Sequence, residues 1–211
     1  MIGIQRILIS WRQMASDNFL EIEHKFLVGE GFDPRRFHQM VTSLSPYRQA
    51  RVQVRDTYYV LASDQSRIFR HRFDREIQQL TVKSLGPDAA VRTEVNIPID
   101  QSKGDQKQAV ERFMHEIGAS WSAEIKKDID VAYFDDCEVV FYRAIGRDRE
   151  VSCVEFEAIG ASSVERGLAT LADYESRLGF DPKNREAKSL FELLVLPVAP
   201  EGIRKIFKAL G

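Results

Sequence analysis

The chain of 211 residues carries only two cysteines, Cys137 and Cys153, too few for a disulfide scaffold or a cysteine-built zinc finger. No apolar run approaches the roughly 18–20 residues that a membrane-spanning helix needs. Neither sign of charge is in excess: 30 Lys and Arg face 32 Asp and Glu, a formal net charge of -2. That balance disfavours a general nucleic-acid coat, which normally shows as marked basicity. A G-x-x-x-x-G-K-[ST] phosphate loop and a G-x-S-x-G nucleophile elbow are both missing, which disfavours P-loop and hydrolase-elbow chemistry. Repeats, low-complexity tracts and proline-rich linkers are also lacking. What is present, 44% hydrophobic and 29% charged residues, is enough to bury a core and argues against disorder. A soluble, cytoplasmic protein is expected, with no nucleic-acid or membrane partner.

Residues Met1 to Gln13 are apolar but carry Arg6 and Arg12, and no small-residue cleavage site follows. The segment makes a poor signal peptide and is too short for an anchor; Met14 is an alternative start. The expected organisation is an extension over 1–18, a main domain over 19–197 and a C-terminal helix over 198–211.

From Phe19 onward the dominant period is two. Glu21, Glu23 and Lys25 share one face, and Leu20, Ile22, His24 and Phe26 the other, as successive residues of a strand do. Further strands rich in Val, Ile, Tyr and Phe are predicted over 48–60, 66–74, 76–84, 90–99, 120–134, 137–145 and 149–159. Asp33-Pro34 opens a helix to about Leu44. Others are predicted over 105–117, from Ser162 or Ser163 to Leu178, over 186–195 and over 201–210; the last, with Ile203, Ile206, Phe207 and Leu210, packs on the main body or on a second subunit, which leaves a homodimer open. The predicted class is α+β: an eight-stranded antiparallel barrel with helices packed outside. Charge recurs on one face of the strands and apolar residues on the other, so a barrel coated by helices would be a polar tunnel.

Glu21 with Glu23, and Glu155 with Glu157, are i, i+2 pairs about 6.5–7 Å apart along a strand, a spacing that lets two carboxylates flank a hard cation. Glu94 lies on the same face as Arg92 and Asn96. A lone Glu-x-Glu is usually a solvated strand face, but glutamate is depleted from strands and here the pair occurs twice. Lys25, Arg70, Arg72, Lys83 and Lys126 supply the complement. Between Arg35 and Lys83 ten Lys and Arg outnumber four Asp and Glu, so charge is segregated although the total is balanced. Arginine grips oxygens bidentately and lysine acts as a point charge, which suits a polyphosphate bridged by metal to the carboxylates. His24 and His71 fall out of phase with the charged face and read as outer or interfacial. His38 and His115 read as exposed, and both cysteines as small buried hydrophobes.

Glu21-Ile-Glu-His-Lys25 resembles the E-x-E-x-K signature of the CYTH superfamily, the triphosphate tunnel metalloenzymes. Asp56-Thr-Tyr-Tyr59, Phe69-Arg-His-Arg72, Leu80-Thr-Val-Lys83, Arg92-Thr-Glu94, Val154-Glu-Phe-Glu157 and Lys188-Ser-Leu-Phe-Glu-Leu-Leu194 resemble further motifs in the family's order. The resemblance implies a tunnel that holds Mg²⁺ or Mn²⁺ through Glu21, Glu23, Glu94, Glu155 and Glu157. It implies a triphosphate gripped by Lys25, Arg70, Arg72, Lys83, Arg92 and Lys126, with Lys25 and Glu157 as catalytic residues. Three activities are consistent with it: hydrolysis of a triphosphate (inorganic tripolyphosphate, or an organic one such as thiamine triphosphate), cyclisation of ATP to cyclic AMP and pyrophosphate, and polyphosphate or nucleotide binding without turnover. Four positions depart from the pattern. Val60 and Asn96 replace acids, Asp128 stands at an expected arginine, and Tyr142 falls near an expected aspartate.

Overall fold

The computed structural model describes residues 19–208 apart from 62, 65 and 85–89, so the 1–13 segment and Met14 lie outside the described residues. Eight strands form: β1 (Leu20–Val28), β2 (Arg48–Leu61), β3 (Arg67–Phe73), β4 (Gln78–Ser84), β5 (Val91–Pro98), β6 (Ala119–Tyr133), β7 (Cys137–Ile145) and β8 (Glu150–Ala158). All pair antiparallel and close in the order β1-β5-β4-β3-β2-β6-β7-β8. The closing seam between β1 and β5 is short, three register pairs, whereas β2 and β6 pair over most of their length.

Helices α1 (Pro34–Ser43), α2 (Lys107–Glu116), α3 (Val164–Leu178) and α4 (Glu201–Lys208) lie outside the barrel. The α1 helix starts where Asp33 accepts from the Arg35 and Arg36 amides at 2.9 and 3.2 Å, with Pro34 at the first position. Ser163 caps α3, which ends at Gly179 with φ 77°, the left-handed geometry that glycine adopts without a Cβ clash. Where these helices cover them, the outer faces of the strands are apolar. Ile22, Phe26, Val139, Val154 and Phe156 pack against Phe37 and Val41 of α1 and Leu171 and Leu178 of α3. Tyr59 packs with Val110 and Met114 of α2. None of the described helices is long and apolar enough to cross a membrane.

The interior is only half polar. The inner faces of β2, β6 and β7 present mainly Val54, Tyr58, Val60, Ile125, Ile129, Tyr142 and Ala144, which corrects the expectation that a charged face recurs strand after strand. The predicted 186–195 helix is also shorter. A π-helical turn over Phe191–Val195 is followed by a 3-10 turn, Leu196–Val198. Their side chains Leu190, Phe191, Leu194 and Val195 join the inner apolar residues and stopper one end of the barrel. Phe191 sits 6.0 Å from Tyr58 and 5.0 Å from Phe207 of α4, ring to ring.

The stopper is fastened from outside. His24 points away from the lumen, and its Nδ1 lies 2.6 Å from Glu175 of α3. Glu175 also accepts from Arg185 Nε at 3.0 Å. Arg185 bridges to Phe26, and the Glu186 amide donates to the Lys25 carbonyl at 2.7 Å. This backbone contact leads the chain to Ser189 at the mouth of the lumen. His38 and His115 are exposed, and both cysteines are buried and free.

Helix α3 approaches β1 closely because Gly167 has no side chain. A Cβ there would meet Ile22 Cδ1 at 2.7 Å and Ala161 Cβ at 3.3 Å. Gly167→Val should therefore lower unfolding stability by about 1–3 kcal/mol through overpacking. Urea unfolding measures this, and wild-type stability in the variant would show that the helix does not rest there.

Candidate functional site

Strand parity and register together decide which side chains meet. Across the antiparallel pairs, Glu23 faces Glu157, Lys25 faces Glu155, Glu21 faces Arg92, Lys83 faces Glu94, and Asp56 faces Arg72. Directly opposed residues project from the same face of the sheet, so these pairs converge in the lumen. The resulting cavity, about 250 Å³, is lined by Glu21, Glu23, Lys25, Arg70, Arg72, Lys83, Arg92, Glu94, Glu155 and Glu157. All ten are among the residues singled out from the sequence.

The eleventh residue singled out, Lys126, does not line the cavity. Lys126 pairs with Arg55 and lies exposed on the outer wall, whereas its neighbour Lys127 pairs with Val54 and is buried in the lumen. Two consecutive lysines on a strand point to opposite faces, and only the register with β2 tells which is inside. The same shift moves a predicted departure. Asp128 is outward, accepting from Gln53 at 3.0 Å, so the inner residue beyond Lys127 is Ile129.

The charges neutralise one another in a network. Lys83 Nζ reaches Glu21 Oε1 and Oε2 at 2.6 and 2.8 Å and Glu94 at 2.5 Å. Lys25 lies 3.1 Å from Glu155 and 3.6 Å from Glu23, and Arg92 lies 3.5 Å from Glu23. Arg70 Nη2 makes only long contacts, 3.4 Å each, to Thr81 and Glu94, and its buried Nε has no hydrogen-bond partner among the described residues. A buried guanidinium nitrogen left without an acceptor is the kind of vacancy an anionic ligand fills.

The carboxylates divide by their neighbours. Burial and the charge of Glu23 push Glu21 up to about 7. Burial alone would raise Glu23 as well, but Lys25, Lys83 and Arg92 hold it down at about 2. Glu157 is raised well above the usual carboxylate range, by burial and then by Glu21, Glu138 and Glu23. Glu138, opposite Glu157 in register, was not singled out from the sequence; burial raises it too. Its signal was its phase with Val140 and Tyr142. Crowded, mutually repelling oxygen donors fit a hard divalent cation. No three Asp, Glu, His or Cys side chains among the described residues already form a metal-holding group.

The departures have local explanations. Asn96 donates to Glu94 at 2.8 Å and accepts from Thr81 at 2.6 Å, keeping a polar strut where an acid is expected. Tyr142 donates its hydroxyl to Glu155 at 2.7 Å. Val60 is fully buried in the apolar end.

No protein-family profile matches the chain, and no curated protein matches it in sequence. Solved structures do match in fold. The PH1012 protein of Pyrococcus horikoshii OT3 is 20% identical with a TM-score of 0.66, over 82% of this chain and 99% of that one. A candidate adenylate cyclase of Vibrio parahaemolyticus is 17% identical with a TM-score of 0.60, over 82% and 97%. The Hippeastrum protein HpAC1, reported to have a dominant triphosphatase activity, is 13% identical with a TM-score of 0.50, over 90% and 95%. The chain shares the closed eight-stranded barrel fold of these proteins.

Glu21 has a folded pKa near 7 against a reference of 4.5, so the folded state holds its proton more tightly than the unfolded chain does. Its contribution is fully favourable below pH 4.5 and is lost as pH rises to about 7. Ligand-free protein should lose on the order of 1–3 kcal/mol across that window, and Glu21→Gln should flatten the slope. Denaturant titrations at stepped pH decide this; an unchanged slope in the variant would remove Glu21 as its origin.

Proposed function

We propose that the chain is a divalent-metal-dependent hydrolase of a triphosphate. The observation that carries this reading is the lumen itself: Arg70, Lys83 and Arg92 on β3, β4 and β5 converge on the same cavity as Glu21, Glu23 and Glu157. Carboxylates crowded around Glu157, and a buried Arg70 nitrogen without an acceptor among the described residues, suit a ligand that brings both a cation and an anion. The triphosphatase activity reported for HpAC1 supports the same class.

Within this reading Glu21, Glu23 and Glu157, with Glu94 and Glu155 beside them, would hold Mg²⁺ or Mn²⁺. When bound, such an ion supplies Lewis acidity to phosphate oxygens and lowers the pKa of a water. The chain's own residues do the rest. Arg70 and Arg92 bind the phosphate chain. Lys83, now shared by Glu21 and Glu94, exchanges a carboxylate for a phosphate oxygen as charge arrives. Lys25 stays protonated, because Glu155 and Glu23 outweigh the burial that disfavours its charge. It therefore stabilises negative charge on the transferring phosphoryl group. Glu157, pushed up by burial and then by its acidic neighbours, is the carboxylate suited to take a proton from the attacking water. The apolar stopper keeps bulk water from one end. Catalysis is then mainly positioning and charge stabilisation.

Tripolyphosphate, thiamine triphosphate and ATP, each with Mg²⁺ and with Mn²⁺, should be assayed for products. Release of orthophosphate is expected; cyclic AMP as the main product would replace hydrolysis by cyclisation, and tight binding without turnover would make the chain a binding module.

Two substitutions separate metal use from phosphate capture. Glu23→Gln should cut turnover by orders of magnitude and raise the metal concentration for half-activity. Arg70→Ala should weaken triphosphate binding by about 2–4 kcal/mol and leave the metal requirement nearly unchanged. An unchanged metal titration in Glu23→Gln would return that carboxylate to a structural role.

A further inference from the structure

Asp56 has no solvent exposure, yet it sits on an inner strand face that is otherwise apolar, between Val54 and Tyr58. Both of its oxygens are used. Oδ1 accepts from Arg72 Nε and Oδ2 from Arg72 Nη2, each at 2.9 Å, and Lys127 Nζ lies 2.5 Å from Oδ2. The three residues come from three adjacent strands, β3, β2 and β6, and register places Asp56 directly opposite Arg72. Two cations thus share one anion, and the surplus positive charge faces the cavity, which Arg72 and Lys127 both line. Neutralising a single carboxylate would have needed only one of them. Arg72 is bound along its Nε–Nη2 edge, so its guanidinium plane is fixed while Nη1 is left out of the pair. A bidentate fork fixes orientation as well as distance, which a single lysine contact does not.

We infer that Asp56 is a positioning residue that acts through Arg72 and Lys127, setting the orientation in which two cations meet the phosphate chain; the inference rests on the triphosphate reading. It also assigns Asp56 no share in metal binding, since its oxygens are spent on the clamp and shielded from the lumen.

The sign of one measurement separates this role from that of a plain counter-charge. Removing a negative charge beside an anion site should, by charge counting, tighten anion binding. Removing the residue that orients the cations should weaken it. Calorimetry of full-length, metal-free protein with tripolyphosphate is expected to give at least tenfold weaker binding for Asp56→Asn, with Mn²⁺ affinity within twofold of wild type. Equal or tighter tripolyphosphate binding, beside a wild type that binds, overturns the inference alone. A parallel loss of Mn²⁺ affinity overturns it too, because that is general loosening of the barrel. A wild type that does not bind tripolyphosphate overturns the function reading and the inference with it. Should Asp56→Asn fail to fold, Asp56→Asn combined with Lys127→Met removes a buried pair and keeps the net charge. Affinity within twofold of wild type in that double variant would again overturn the inference.

Discussion

Everything in this protein depends on placing ionised side chains inside a barrel. An unpaired charge out of water costs far more than any single contact returns, so every inward carboxylate or cation needs an opposite charge, a hydrogen bond or a ligand. The antiparallel register supplies these partners strand by strand: Lys25 against Glu155, Lys83 against Glu94, Asp56 against Arg72. Helices outside follow from the same constraint. If the inner faces are charged, the apolar faces point outward, and only a coat of helices keeps them from water.

The network is not uniformly satisfied, and the unevenness organises the site. Around Asp56 pairing is complete and the geometry is fixed. Around Arg70 it is loose, and around Glu157 the nearest charges are of its own sign. Rigid pairing on one wall and unrelieved charge on the other is how a cavity can be held open for a ligand carrying both signs. Tyr142, with its ring packed among the apolar inner residues and its hydroxyl on Glu155, joins the polar half of the interior to the filled half. The stopper that fills this end is held by the outward triad of His24, Glu175 and Arg185, residues that never face the lumen.

Much of the fold was legible because its signals are local. Alternation over Glu21–Lys25, the Asp33-Pro34 cap and the Ser163 cap depend only on neighbours in the chain, and β1, α1 and α3 formed within a residue or two of expectation. The charged lining was legible for the same reason: a run such as Arg70-His-Arg72 assigns its own parity. Asp56 was visible as part of a motif, but a single acid among apolar residues does not declare its partners.

The amino-acid sequence by itself determined the strands, their charged faces and the residue types that line the cavity, since side chains alternate with a period of two whatever the strand pairs with. Only the tertiary structure decided that Lys127 rather than Lys126 is inside, because parity in a run of two lysines is set by the register against β2. It also decided that the interior is half apolar, since that follows from which strands are neighbours around the closed barrel. And it brought Asp56, Arg72 and Lys127 into one clamp, residues as far as 71 positions apart that meet only when β3, β2 and β6 lie side by side.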